Sequence, residues 1–298
     1  MLDLKISKQK CSGKTRRQTS RLADVLDALY LKYNHREFIG DDPLQFVYKY
    51  SDYADMEVTG FFASALAYGR VGQISKSLEK LFSIMGTSPA GFVREFRSAD
   101  RRFLKDFKHR FNTGDDIADL IVLLKHVITK HGSIEGYFLD GCSDSDVNIL
   151  PGLANFCRGL TGLYAGRHGR PVSRGLMYLL VSPARKSACK RLNLFLRWMV
   201  RDDDVDTGLW KGVDASKLIV PVDVHMARLC GILGFHNSKN ATLKTAVEIT
   251  DNFAKIVPSD PVKYDFALSR IGIIENCNGK INDKCPECQL YEYCMAKK

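Results

Sequence analysis

Apolar residues recur every three or four positions along most of the chain, and this spacing is the strongest constraint on its fold. Segments 71–86 and 115–132 each carry such a stripe, and they end at Gly86 and Gly132. One apolar face at this spacing is typical of an amphipathic helix packed on a core. No run alternates like a strand for more than a few residues. The sequence therefore predicts an all-α protein. The same pattern occupies segments 21–34, 55–70, 187–200, 240–257 and 260–275.

Two segments between these stripes are predicted to be connections. The glycine-rich GLTGLYAGRHG, residues 159–169, is typical of a loop. RDDDVDTGLWKGVD, residues 201–214, directly follows a predicted helix and is predicted to be a polar connection.

The chain of 298 residues is basic, since 44 lysines and arginines against 34 acidic residues give a formal net charge of +10. This surplus favours a polyanionic partner such as nucleic acid. Residues 1–20 are predicted to form a basic, disordered arm. No apolar run approaches the roughly 18 residues of a membrane span, and the N-terminus has no signal-peptide h-region. We expect a cytoplasmic monomer with no membrane partner.

Four of the nine cysteines crowd the last 22 residues of the chain. Intervals of seven, two and five residues separate Cys277, Cys285, Cys288 and Cys294. Four thiolates this close form a cage for one metal centre, and either zinc or a 4Fe–4S cluster can use four cysteines. Zinc sites usually pair two CxxC knuckles, whereas this tail has one, so the spacing favours the cluster over zinc. With no open coordination position, its expected role is structural.

One carboxylate interrupts the apolar stretch IVPVDVHMARLCGILGF, residues 219–235, because Asp223 stands between Val222 and Val224. Carboxylates are almost never fully buried without a partner, so Asp223 either caps the helix that follows or takes part in chemistry. The two roles are compatible, since a capping carboxylate at a cleft is held rigidly. His225, two residues later, is predicted to be a structural, hydrogen-bonding histidine.

Three segments carry a resemblance to the helix-hairpin-helix DNA glycosylases. PVDVHMARLCGILGF resembles the part of that superfamily that bears the catalytic aspartate, and it is especially similar to the 8-oxoguanine glycosylases. The cysteine tail after ALSRIGIIENC is similar to the iron–sulfur loop of the endonuclease III branch. DMEVTGFFASALAYGRVGQISKSLEKL resembles, more loosely, the helix pair that lines the base pocket. The whole chain also resembles a bacterial family within or near this superfamily.

The resemblance implies a two-lobed helical glycosylase-like fold with a C-terminal iron–sulfur loop. Residues 55–199 would form a central lobe, with a hairpin-like segment at 182–191. Residues 21–54 and 200–298 would form the second lobe, with the cluster loop at 277–294.

The resemblance also implies roles for individual residues. Lys190 corresponds to the amine nucleophile, with Lys186 as the alternative one turn earlier. Asp223 corresponds to the carboxylate that stabilises positive charge developing at C1′ of the sugar. The Gly-x-Gly of the family's hairpin is replaced here by residues 184–187, ARKS. The residues expected to contact nucleic acid are Arg185, Lys186, Ser187 and Arg191.

The implied function is base excision by a DNA glycosylase with AP lyase activity, acting on a duplex that carries a damaged base such as an oxidised purine. One alternative is a monofunctional glycosylase, in which Asp223 activates water and Lys190 only binds phosphate, together with Arg191 and Arg197. Another is a non-catalytic iron–sulfur protein that binds nucleic acid. The residues alone do not distinguish DNA from RNA.

Overall fold

A computed structural model describes residues 13–275 and 277–297 of the chain. Helices make up most of this part, which confirms the all-α prediction, and one two-stranded antiparallel hairpin accompanies them. The helices are α1 (Gly13–Tyr33), α2 (Tyr53–Ala65), α3 (Val71–Met85), α4 (Pro89–Glu95), α5 (Arg101–Leu104), α6 (Gly114–His131), α7 (Ile134–Leu139), α8 (Leu150–His168), α9 (Arg174–Leu179), α10 (Lys190–Val200), α11 (Val224–Ile232), α12 (Leu243–Ala254) and α13 (Asp265–Ile274). The strands are β1 (Lys108–His109) and β2 (Asn112–Thr113).

Glycines end α3 and α6 where the sequence predicts it. Gly86 and Gly132 have φ angles of 73° and 82°, in the region that side chains with a Cβ rarely adopt. Their amides donate to the carbonyls of Phe82 and Ile128, each at 2.9 Å, and thereby satisfy the last turn of each helix.

The prediction of a loop at 159–169 is wrong, because α8 continues through His168. The helix ends only at Gly169, which has the left-handed conformation. Gly162 and Gly166 lie on the solvent side, where an added Cβ would meet nothing within 4 Å. The opposite face carries a buried stripe whose packing outweighs the low helix propensity of glycine. That stripe consists of Leu153, Phe156, Cys157, Leu160 and Tyr164.

Helix α10 packs closely on the buried helix α2. A Cβ added at Gly60 would lie 2.8 Å from the terminal methyl carbon of Met199, so the small residue permits this approach. The rings of Phe61 and Phe195 meet edge to face with centroids 5.2 Å apart. This contact fixes the position of α10, which begins at Lys190.

A second set of contacts surrounds α13, which packs against α1 and α11. Its buried residues include Phe266, Leu268 and Ile271. Directly before α13, the hydroxyl of Tyr264 donates to Asp27 Oδ1 in α1 at 2.8 Å. Leu229 of α11, Ile271 of α13 and the cysteine tail line one small cavity.

The first helix begins before the position that the sequence predicts. Of the predicted disordered arm, residues 13–20 belong to α1, and residues 1–12 lie outside the described residues. Among the described helices, none is long and apolar enough to cross a membrane.

Candidate active site

Asp223 and Lys190 meet where α10 and α11 begin. Asp223 is the N-cap of α11, and its Oδ1 accepts hydrogen bonds from the amides of His225 and Met226 at 2.9 and 2.8 Å. Its second oxygen, Oδ2, lies 3.6 Å from Nζ of Lys190, the first residue of α10. The two side chains are 34% and 32% exposed, so the ion pair can be reached from solvent.

A tight turn over residues 182–189 leads into α10. The Ser182 side chain accepts a hydrogen bond from the Ala184 amide at 3.3 Å and caps the 3-10 turn Pro183–Arg185. Lys186 and Cys189 both have positive φ, at 60° and 48°, which is uncommon for residues other than glycine. The turn thus connects α9 to α10 with two left-handed residues that bear side chains.

The turn is attached to the start of α12. The Lys186 carbonyl accepts a hydrogen bond from the Leu243 amide at 3.1 Å, and Ser187 forms a backbone bridge with Thr242. The side chains of Arg185 and Lys186 are exposed, whereas Ser187 is half-buried and accepts from the Cys189 amide. Of the two lysines considered for the amine, Lys190 is the one that the structure places beside Asp223.

Arg191 points away from Lys190 and into the protein. Its guanidinium donates to the carbonyls of Ala65 and Tyr178, the first at 2.5 Å. It also stacks on the rings of Tyr68 and Tyr178, 4.8 and 4.5 Å from their centroids. Burial lowers the pKa of this guanidinium. Arg191 therefore binds α10 to α2 and α9, and its charge faces protein groups.

The other end of α10 is anchored by buried charges. Arg197, considered above as a phosphate ligand, is instead 3% exposed and is held by carboxylates. Burial alone would lower the pKa of Arg197 and Arg201, but the neighbouring carboxylates, Asp206 foremost, raise both. The ion pairs are Arg197–Asp206 at 3.2 Å, Arg197–Asp265, Arg201–Asp206 at 2.6 Å, Arg201–Asp203 at 2.8 Å and Arg201–Asp260 at 2.9 Å.

The four cysteines of the tail line one small cavity, together with Leu229 and Leu290. Burial raises the pKa of the Cys288 thiol, and the three neighbouring cysteines of the tail add to this rise. The Asn282 amide donates to Cys285 Sγ at 3.3 Å. The cysteines of the described residues are all free. Within 13–275 and 277–297, no three His, Cys, Asp or Glu side chains are arranged to hold a metal ion.

Arg228 connects α11 to the cysteine tail. Its Nη1 donates to the Cys277 carbonyl at 3.3 Å, and its Nη2 lies 3.2 Å from Nδ1 of His225. Gly279 has φ 80°, and a Cβ there would lie 3.1 Å from Arg228 Cδ. The tail thus packs directly on the stem of this arginine. His225 is bound to Arg228, as expected for a structural histidine.

A larger cavity, of about 430 Å³, opens between α11 and the loop 236–241. Val224, the residue after Asp223, lines it, as do Arg228 and Lys239. Sequence reasoning missed this cavity. The polar run HNSKN at 236–240, directly before a predicted helix, is the one sequence signal that points to it.

Comparison with known proteins gives one match. Residues 42–274 match a family described as a protein of unknown function, DUF2400. The chain belongs to the DUF2400 family. The part that matches DUF2400 includes Lys190, Asp223 and the 430 Å³ cavity, and it ends before Cys277. No curated protein and no solved structure matches the chain.

Proposed function

We propose that this chain is a DNA glycosylase with AP lyase activity, in which Lys190 is the nucleophile and Asp223 the electrostatic stabiliser. The observation that carries the proposal is the 3.6 Å contact between Lys190 Nζ and Asp223 Oδ2. An amine and a fixed carboxylate at this distance supply the two groups that cleavage of an N-glycosidic bond requires. The resemblance to helix-hairpin-helix glycosylases supports the same assignment.

The chemistry begins when the Lys190 ammonium loses a proton to solvent water, so that Asp223 remains a carboxylate. The free amine attacks C1′, and the bond from C1′ to the base breaks, so that the base leaves with the electron pair and takes up a proton. Opening of the sugar gives an imine between Lys190 and C1′. Loss of a C2′ proton then breaks the C3′–O bond and releases the 3′ phosphate. The Asp223 carboxylate stabilises the positive charge that develops at C1′.

A two-lobed arrangement is part of the proposal. Lys190 begins a helix that packs on α2, whereas Asp223 caps a helix that packs on α13. Two lobes built around α2 and α13 would place this pair in the cleft between them, where an extruded base can enter. Arg185 and Lys186 are both exposed. They would lie beside this cleft and are the proposed phosphate contacts.

We further propose that Cys277, Cys285, Cys288 and Cys294 hold a 4Fe–4S cluster. All four are among the residues that line one small cavity, which supports this assignment, as does the backbone amide of Asn282 directed at Cys285 Sγ. The cluster supplies a structural cross-link when bound. The cross-linked tail would hold the Cys277 carbonyl against Arg228. Purification without oxygen, followed by iron and sulfide analysis, tests this: zinc without sulfide would refute it.

One observation favours the monofunctional alternative. Lys190 faces a carboxylate, and a lysine kept as an ammonium binds phosphate but does not attack a sugar carbon. In that case Asp223 would activate water for base release, and no covalent adduct would form.

Borohydride trapping separates these functions. Duplexes with 8-oxoguanine, an oxidised pyrimidine, uracil or an abasic site would be incubated with wild type, Lys190→Ala, Lys186→Ala and Asp223→Asn. The proposal expects a covalent adduct that is lost in Lys190→Ala, weakened in Asp223→Asn and retained in Lys186→Ala. Base release without an adduct would establish the monofunctional enzyme. Neither adduct nor base release on any duplex, from protein with its metal centre intact, would refute both.

A further inference from the structure

The 430 Å³ cavity beside α11 has the features of an anion site. Arg228 and Lys239 both line it, and no carboxylate forms an ion pair with either cation in the described part of the chain. The partners of Arg228 are a carbonyl and an imidazole, which leave its positive charge uncompensated. Two cations without counter-charges at one concave surface attract an anionic ligand.

The loop that forms the outer wall of the cavity is held in place. His236 Nε2 donates to the Ala227 carbonyl at 2.6 Å, and its Nδ1 accepts from the Ser238 amide at 3.1 Å. Ser238 Oγ in turn donates to the Asn240 carbonyl and accepts from the Asn240 amide. These bonds fix the wall before any ligand binds, which lowers the entropy cost of binding.

The cavity adjoins the pair of Lys190 and Asp223. Val224 lines it and directly follows Asp223, and it is 70% exposed. The loop leads into Thr242, which pairs with Ser187 in the turn before α10. A ligand that spans both places would therefore contact the cavity and the reactive pair at once.

We propose that this cavity binds a phosphate of the nucleic-acid strand, with Arg228 and Lys239 as its ligands. The choice of a strand as the source of the phosphate rests on the proposed function, whereas binding itself does not require turnover. The apolar side chains of Val224 and Ala227 also line the cavity and can contact the sugar that follows the phosphate. The cavity would then hold the strand next to the sugar that Lys190 attacks.

The test measures how the affinity for a short labelled duplex falls with salt, by fluorescence anisotropy. Lys239→Ala removes one phosphate contact, so the plot of log affinity against log salt concentration should become less steep, by about 0.9. The matched control is Lys244→Ala, which removes the same charge from an exposed position of α12 outside the cavity. It should leave the slope unchanged. Ala241→Trp, which fills the cavity without a change of charge, should weaken binding.

Equal slopes for Lys239→Ala and Lys244→Ala would overturn the proposal. A second arm measures binding of inorganic phosphate to the free protein by phosphorus NMR line broadening. If phosphate binds through Lys239 while the duplex slope stays at the wild-type value, the cavity takes a small phosphate compound and the strand assignment is overturned. Borohydride trapping with Lys239→Ala distinguishes this failure from that of the proposed function, since the adduct depends on Lys190.

Discussion

Asp223 caps α11 with one oxygen and faces Lys190 with the other, and two substitutions separate these roles. Asparagine retains an oxygen acceptor and is about as good an N-cap as aspartate. Asp223→Asn should therefore lower the free energy of unfolding by less than about 1 kcal/mol, which is the upper value for an ion pair whose members are a third exposed. Asp223→Ala also loses both amide hydrogen bonds, which adds about 1 kcal/mol.

The rate of adduct formation should depend on the negative charge of Asp223 and not on its role as the N-cap of α11. Loss of one preorganised electrostatic group costs about a hundredfold to a thousandfold in rate. Asp223→Asn should thus form the borohydride adduct about that much more slowly while it unfolds near the wild-type urea concentration. Trp198 and Trp210, both buried, report unfolding through their fluorescence.

A matched control comes from α2, where Asp52 caps the amides of Ala54 and Asp55 in the same way. Asp52→Ala should cost about the same stability, about 1 kcal/mol, and should leave adduct formation unchanged. The reasoning would be refuted if Asp223→Asn retained wild-type activity. It would also be refuted if Asp223→Asn lost as much stability as Asp223→Ala, because capping would then require the charge and the two roles could not be separated.

Three further predictions concern stability and the metal centre. Asp206→Ala removes a carboxylate partner from two buried guanidiniums and should lower the free energy of unfolding in urea by about 3–5 kcal/mol. Asp202 is exposed, and Asp202→Ala should lower the same free energy by less than about 1 kcal/mol. Burial tends to raise the pKa of Asp203, but Arg201 and two backbone amides lower it overall. The Asp203 carboxylate therefore stabilises the fold above about pH 4, and this stabilisation is lost as the group is protonated at lower pH. In Asp203→Asn, the urea concentration at the unfolding midpoint should decline less steeply below about pH 4 than it does in the wild type. Cys285→Ser should abolish iron and sulfide binding, while Cys142→Ser should retain both; equal iron content in the two variants would contradict the assignment.

The periodicity of apolar residues was sufficient to predict most long helices, and its one clear failure is instructive. In α8 the glycines at 159, 162 and 166 obscured a buried stripe that the same spacing contains. Two of them face solvent, and Gly159 faces Tyr137, where a Cβ would lie 2.0 Å from the hydroxyl. Glycine is therefore needed at one position of this helix for close packing and is tolerated at two others because they are exposed. Which position is which depends on neighbours that are distant in sequence.

The candidate site could be predicted only in part. The resemblance pointed to Lys190 and Asp223 separately, but their distance depends on how α10 packs on α2 and α11 on α13. The cavity was missed because the direction of the Arg228 side chain depends on Cys277 and Gly279, far along the chain. The acidic run after α10 was predicted to be a polar connection, yet Asp206 is buried because two arginines compensate its charge.

The buried charges at the end of α10 also restrict how the chain can change its length. Each residue turns an α-helix by about 100°, so one residue inserted between Lys190 and Arg197 would rotate one of them away from its partner. If the guanidiniums kept their carboxylates, the Lys190 amine would no longer face Asp223. If the amine stayed, a buried charge would lose its partner, at a cost of about 3–5 kcal/mol. Insertions in this helix should therefore abolish either activity or folding.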